Sequence, residues 1–220
     1  MQRYYPSGHT SSKTVRALLT SLPLALVACG SPDISTQNRV EFSLSPRSKP
    51  ITQQALPDTL GSRLAALDVA VTRWQRAPDL RQAHKAAEEA RNLIVGPAGP
   101  FYGDANRDGK VSGVVAFGML PGLRGEASLA RQTDGPCVVA HILGGSWRDP
   151  AGRWAILEQA ISRWTPTRNT FPSLPSHIQR VVGWASLTLN SRSLANAREY
   201  AKHARLHVNI ANQSANDCGR

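Results

Sequence analysis

The sequence predicts an all-α fold, a bundle of four to six helices interrupted by one long glycine-rich loop. Apolar residues recur every three or four positions in several stretches, as they do along the buried face of a helix. The chain has 220 residues and is 41% hydrophobic, which is enough for one buried core. Glycines concentrate in residues 97–125, a segment that therefore cannot form a single regular element.

Two helices are predicted before the glycine-rich loop. The first lies between Pro57-Asp58 and Pro78, and the second begins with Asp79 as its N-cap and ends at Gly96-Pro97. The apolar residues that define the first are Leu60, Leu64, Leu67, Val71 and Trp74.

Helical periodicity returns after the loop. A short helix is predicted near residues 126–131, and longer helices over 152–164, 176–189 and 193–211. The last helix repeats the alanine spacing of the second, which indicates either a duplicated helical hairpin or the general abundance of alanine in helices. The matching positions are Ala83, Ala87 and Ala90 with Ala197, Ala201 and Ala204.

Residues 1–28 have the organisation of an export signal. Lys13 and Arg16 precede an apolar run over 17–28 that is too short to span a bilayer. The run ends in Leu26-Val27-Ala28-Cys29, which resembles the lipobox of bacterial lipoproteins. The resemblance implies acylation of Cys29 and a lipid anchor in the cell membrane or outer membrane, with the domain facing the periplasm or exterior. The alternative is an ordinary cleaved signal peptide and a secreted protein.

The remaining chain is divided into a tether and a domain. Residues 29–55 are rich in Ser, Pro, Thr, Gln and Asn and predict a flexible tether, and residues 56–220 predict the helical domain. The 26 Lys and Arg residues exceed the 15 Asp and Glu residues, giving a formal charge of +11. This excess favours an anionic membrane or envelope polymer as partner, and another envelope protein is the alternative. No nucleic-acid-binding motif accompanies it, so we expect no nucleic acid partner.

The loop contains a run of oxygen-bearing side chains at alternate positions. Asp104, Asn106 and Asp108 are followed by Gly109 and, two residues later, by Val111. This spacing resembles the calcium loops of EF-hands and of bacterial dockerins. The resemblance implies calcium as cofactor, with ligands from Asp104, Asn106, Asp108, the Lys110 carbonyl and Ser112.

The resemblance fails at the end of the loop, which spans residues 103–115. Val115 occupies the position at which an EF-hand has a bidentate Glu. We therefore expect weak binding, with a dissociation constant of about 10⁻⁴ to 10⁻³ M, unless Glu126 folds back to complete the site. The alternative is an empty turn in which Asp and Asn side chains bind their own backbone.

Two cysteines remain besides Cys29. Because exported proteins meet an oxidising environment, Cys137 and Cys218 form a candidate disulfide. Two unrelated thiols are the alternative.

Three histidines form a candidate transition-metal or haem site. His203 and His207 lie four residues apart on the last helix and hence on one face. His84 precedes Glu88 by four residues on the second helix, so pairing of the two helices would bring the ligands together. Solvated polar faces are the alternative.

No recognisable catalytic motif is present, and we do not predict an enzyme. The segment that leads from Asn92 into Asp104 resembles a pattern in exported helical proteins of bacteria, a resemblance that implies no activity. The leading hypothesis is a membrane-anchored lipoprotein in which calcium stabilises a binding or structural module. An exported metal or haem binder and an unrecognised envelope enzyme are the alternatives.

Overall fold

The computed structural model describes residues 58–132 and 135–218. Within these ranges the chain forms seven helices and no strand, so the predicted all-α fold is confirmed. The predictions for residues 1–28, for Cys29 and for the tether concern residues that lie outside the described ranges. The helices are α1 (Leu60–Gln75), α2 (Leu80–Val95), α3 (Leu129–Gln132), α4 (Pro136–His141), α5 (Pro150–Ser162), α6 (His177–Leu189) and α7 (Leu194–Cys218).

The first two helices begin at side-chain caps. The Thr59 hydroxyl accepts a hydrogen bond from the Ser62 backbone N–H at 3.1 Å, and the Ser62 hydroxyl accepts one from the Thr59 N–H at 2.9 Å. Asp79 caps α2 through the Gln82 N–H at 2.8 Å. These bonds satisfy backbone N–H groups that have no partner inside a helix.

Four of the helices form the bundle. Helices α1 and α6 each pack against both α2 and α7, so the order around the bundle is α1, α2, α6, α7. The repeated alanines of α2 and α7 are completely buried, which allows close packing at these positions. The apolar positions that predicted α1 are also buried, including Trp74 at 0% exposure.

Buried tryptophans connect distant segments through their indole N–H groups. Trp74 in α1 donates to the Ala197 carbonyl of α7 at 2.9 Å. Trp154 in α5 donates to the Pro121 carbonyl at the end of the glycine-rich loop at 3.0 Å. Each indole therefore combines a large buried apolar area with a satisfied polar group.

The described helices differ from the prediction by more than three residues in two places. Helix α4 was not predicted, because its six residues after Gly135 are too few to show a helical period. Helix α7 continues beyond the predicted end at residue 211 and reaches Cys218, where Ala215 and Cys218 pack against the core. None of the described helices has both the length and the apolar composition needed to cross a membrane.

Cys137 in α4 and Cys218 in α7 are joined by a disulfide. Of the two alternatives that the sequence left open, the structure contains the paired form. The bond links two segments 81 residues apart, and a closed loop of that length reduces the entropy of the unfolded chain.

Two glycine-to-alanine substitutions should have opposite effects on stability. A Cβ at Gly183 in α6 would lie 2.7 Å from the buried Phe171 ring, whereas a Cβ at Gly61 in α1 would meet no atom within 4 Å. We expect Gly183→Ala to lower the free energy of unfolding by about 1–3 kcal/mol through overpacking. Gly61→Ala should raise it by up to about 1 kcal/mol, because alanine has the higher helix propensity. Urea unfolding of the full chain measures both, and equal effects of the two variants would contradict the packing described here.

Candidate functional site

The glycine-rich loop is fixed to α2 by the carboxylate of Glu88, which is completely buried. Its Oε2 accepts hydrogen bonds from the backbone N–H groups of Ala105 and Asn106 at 2.8 and 2.9 Å. Its Oε1 accepts one from the N–H of Ser112 at 2.8 Å. One charged group thus binds both sides of the candidate calcium loop. The three hydrogen bonds compensate for the removal of the carboxylate from water.

Asn92, one turn further along α2, connects the two ends of the same loop and is also completely buried. Its Nδ2 donates to the carbonyls of Gly103 and Ser112 at 3.0 and 2.8 Å, and its Oδ1 accepts from the Gly103 N–H at 3.1 Å. Because Glu88 and Asn92 are four residues apart, they lie on one face of the helix. That face is therefore the platform of the loop.

Arg91, beside these two residues on α2, is also buried, with 8% exposure. Burial lowers its pKa to about 10, and attraction to Glu88 opposes that decrease. Even at this pKa the guanidinium is charged at neutral pH. It therefore balances part of the negative charge that Glu88 brings into the interior.

The predicted ligand side chains surround backbone N–H groups of the loop. The N–H of Asp108 lies 3.1 Å from Asp104 Oδ1 and 2.9 Å from Asn106 Oδ1. Asp104 Oδ2 accepts from Gly109 N–H at 2.9 Å, and Asp108 Oδ1 accepts from Lys110 N–H at 2.9 Å. Gly109 has a φ of 82°, which makes glycine the favoured residue at this turn.

The loop oxygens retain the capacity to bind a cation. A carboxylate oxygen has two lone pairs, and Oδ1 of Asp108 and Oδ2 of Asp104 each accept a single backbone N–H. The Lys110 carbonyl accepts no hydrogen bond from the described residues. The arrangement thus combines oxygen donors of the type that calcium prefers with a backbone that is already bent around them.

The structure does not bring a third loop carboxylate to the position that an EF-hand Glu would occupy. Glu126 instead accepts a hydrogen bond from the Arg124 N–H at 2.8 Å in its own turn, and backbone hydrogen bonds lower its pKa. Val115, the residue at that position, is partly buried and packs against the core. Among the described residues, no three His, Cys, Asp or Glu side chains are grouped as metal ligands.

His84 does not join His203 and His207. Its Nε2 donates to the Ser191 carbonyl just before α7, at 3.1 Å. His203 lies twelve residues further along the chain than Ser191. Most of these residues belong to α7, so roughly 15 Å of helix separates His203 from the residue that His84 contacts. Glu88, the predicted partner of His84, is turned toward the loop. The two helices do pack together, but in a register that separates these histidines.

His203 and His207 have other neighbours. His203 stacks on Trp184 with ring centroids 4.4 Å apart, and its Nε2 accepts from Asn169 Nδ2 at 2.8 Å. His207 Nδ1 lies 2.9 Å from Nδ1 of His177 on α6. One of these two nitrogens donates a hydrogen bond and the other accepts it, so at least one of the two rings is neutral at this distance.

Sequence reasoning missed Glu88, Asn92 and His177 as members of these sites. The sequence did carry a signal for Glu88 and Asn92. They are two polar residues, four positions apart, on a helix whose other buried positions are mostly alanine or aliphatic. A buried charge requires partners, and the loop is the nearest segment with many free N–H groups. His177 carried no comparable signal.

Comparison with known proteins gives no relative. No family model, no curated protein and no solved structure matches the chain.

Glu88→Gln should loosen the loop, because the amide NH₂ of glutamine would face backbone N–H groups that need an acceptor. We expect the free energy of unfolding to fall by about 1.5–3 kcal/mol, the range for hydrogen bonds to charged groups. Hydrogen exchange at Ala105, Asn106 and Ser112 should accelerate. The neighbouring Glu89→Gln is the control, since Glu89 pairs at the surface with Arg73 at 2.9 Å and such pairs contribute about 0–1 kcal/mol. A larger effect of Glu89→Gln would be evidence against the role of Glu88.

Proposed function

We propose that the protein is an exported, lipid-anchored helical module of the cell envelope whose loop 103–115 binds calcium. The observation that carries the proposal is the arrangement of Asp104, Asn106 and Asp108 around shared backbone N–H groups, on a platform made by Glu88 and Asn92. Calcium would act as a structural clamp on this loop. No reaction is assigned.

The platform favours calcium binding because it reduces the conformational cost of forming the site. Ser112, near the end of the loop, is held by both Glu88 and Asn92, so the chain is closed before a cation arrives. A site that is already ordered loses less entropy on binding. With two loop carboxylates, the affinity should still be that of an extracellular module, about 10⁻⁴ to 10⁻³ M.

The anchor rests on Leu26-Val27-Ala28-Cys29 and its resemblance to the lipobox. Acylation of Cys29 on more than one atom would hold the domain on the membrane, where a single chain would not. The excess of Lys and Arg over Asp and Glu would add attraction to anionic lipid or polymer, which decreases with ionic strength. The partner of the helical surface would therefore be a component of the envelope.

Calcium should raise the melting temperature of the full chain. At a calcium concentration of about ten times the dissociation constant, mass action adds about 1.4 kcal/mol. For a domain of this size, that corresponds to a rise of about 3–5 °C. Asp104→Asn and Asp108→Asn should abolish the response, because each keeps the shape of the side chain and removes a charged ligand.

The control for this experiment is Glu158→Gln, an exposed carboxylate on α5 far along the chain from the loop. It should respond to calcium like the wild type. A wild-type melting temperature that stays constant up to about 10 mM calcium, well above the extracellular affinity range, would show that the loop is an empty turn.

Cys29→Ser should release the protein from the membrane fraction of the producing bacterium. The wild type should carry acyl chains on Cys29, detected by mass spectrometry of its N-terminal peptide, and the variant should carry none. Ser31→Ala, two residues away, is the control and should stay with the membrane. Recovery of the wild type as a soluble protein without acylation would support the ordinary cleaved signal peptide instead.

A further inference from the structure

A cleft of about 370 Å³ lies between the segment 169–172 and helices α6 and α7. Phe171, Trp184 and Leu206 supply apolar walls, and Arg180, His203 and His207 supply polar groups. The volume falls at the lower end of the range of small-molecule sites, and most of the accessible lining area is apolar, as in such sites. We propose that this cleft binds a small organic carboxylate with an apolar body.

The cleft offers hydrogen-bond donors without matching acceptors. Arg180 donates through Nε to the Leu174 carbonyl at 2.9 Å, and its two terminal nitrogens have no hydrogen-bond partner in the described part of the chain. These terminal nitrogens can only donate, so a ligand with acceptor oxygens matches the cleft.

Among the residues that line the cleft, Arg180 is the one with a permanent charge. The pKa of His207 is lowered to about 4, first by burial and then by the neighbouring His177, Arg180 and His203. The pKa of His177 is lowered by burial, by Arg180 and by His141. Glu199, whose Oε1 lies 3.6 Å from His203 Nε2, does not itself line the cleft. A bound anion would therefore be attracted by Arg180 without competition from a lining carboxylate.

The apolar body of the ligand follows from the walls. The ring of His203 stacks on Trp184 with an interplanar angle of 15°. A ligand therefore cannot stack on that face of the indole, as the ring of a sugar would. Leu206 at the rim is 54% exposed. An apolar group in the cleft would cover this side chain and remove apolar surface from water, which favours binding.

A transition metal at the His177 and His207 nitrogens is the competing occupant. Two nitrogens 2.9 Å apart are close to the separation of two ligands on one ion. The hydrogen bond between the rings accounts for the same distance, however, and the charge of Arg180 opposes a dication. The observations therefore favour the anion.

Calorimetric titration of the full chain tests the proposal with 2-naphthoate and with 2-naphthamide, its uncharged counterpart. We expect 2-naphthoate to bind at least about tenfold more tightly, the effect of a charge-assisted hydrogen bond. Arg180→Gln should remove this preference and leave 2-naphthamide binding unchanged. Because Arg180→Gln also loses the hydrogen bond to Leu174, a second pair of variants changes Leu206 at the exposed rim of the cleft. Leu206→Glu should weaken 2-naphthoate binding at least tenfold, and Leu206→Gln should not.

Three outcomes would overturn the proposal. They are equal affinity for the two probes, no binding of 2-naphthoate up to several millimolar, and an equal response of Leu206→Glu and Leu206→Gln. A parallel titration with Zn²⁺ identifies the competing occupant. Zn²⁺ binding that His207→Gln abolishes, without 2-naphthoate binding, would assign the cleft to a metal.

Discussion

A long loop without secondary structure must find partners for its backbone polar groups, and in this protein one buried carboxylate of the neighbouring helix binds three of its N–H groups. Glu88 is buried, accepts three backbone N–H groups and is joined by Asn92 on the same face of α2. Burying an ion is costly unless its hydrogen bonds are complete. The glycine-rich loop and the helix are therefore mutually dependent, because the loop needs acceptors and the carboxylate needs donors.

The same constraint explains the composition around the loop. Gly118 approaches α2 so closely that a Cβ would lie 2.2 Å from the Val95 carbonyl oxygen, and Gly113 has a positive φ and a similar contact with Glu89. Backbone hydrogen bonds from Met119 and Leu120 to the Ile94 carbonyl continue this contact at 2.7 and 3.1 Å. The glycines are thus required by proximity to the helix, which is a different reason from the sharp turn at Gly109.

The elements that could be predicted from the sequence are those encoded over short distances. Helix α1 has an apolar stripe and a cap within a few residues of each other, and the oxygen pattern from Asp104 to Asp108 lies within a single turn. The partners of Glu88 and His177 could not be assigned, because they are 17 to 30 residues away and depend on which helix faces meet. The prediction that His84 lies beside His207 was wrong for that reason. Helices α2 and α7 pack together, but the sequence pattern does not determine their register.

The disulfide between Cys137 and Cys218 has a mechanical consequence. It closes most of α4 and all of α5, α6 and α7 into a covalent ring, whereas α1 and α2 lie outside that ring. A pulling force that enters at residue 58 would therefore meet only non-covalent contacts in α1, among them the Trp74 bond to Ala197. Under tension from that end, α1 would be the first helix to bear the load, and the ring would keep its connectivity until the bond itself was reduced.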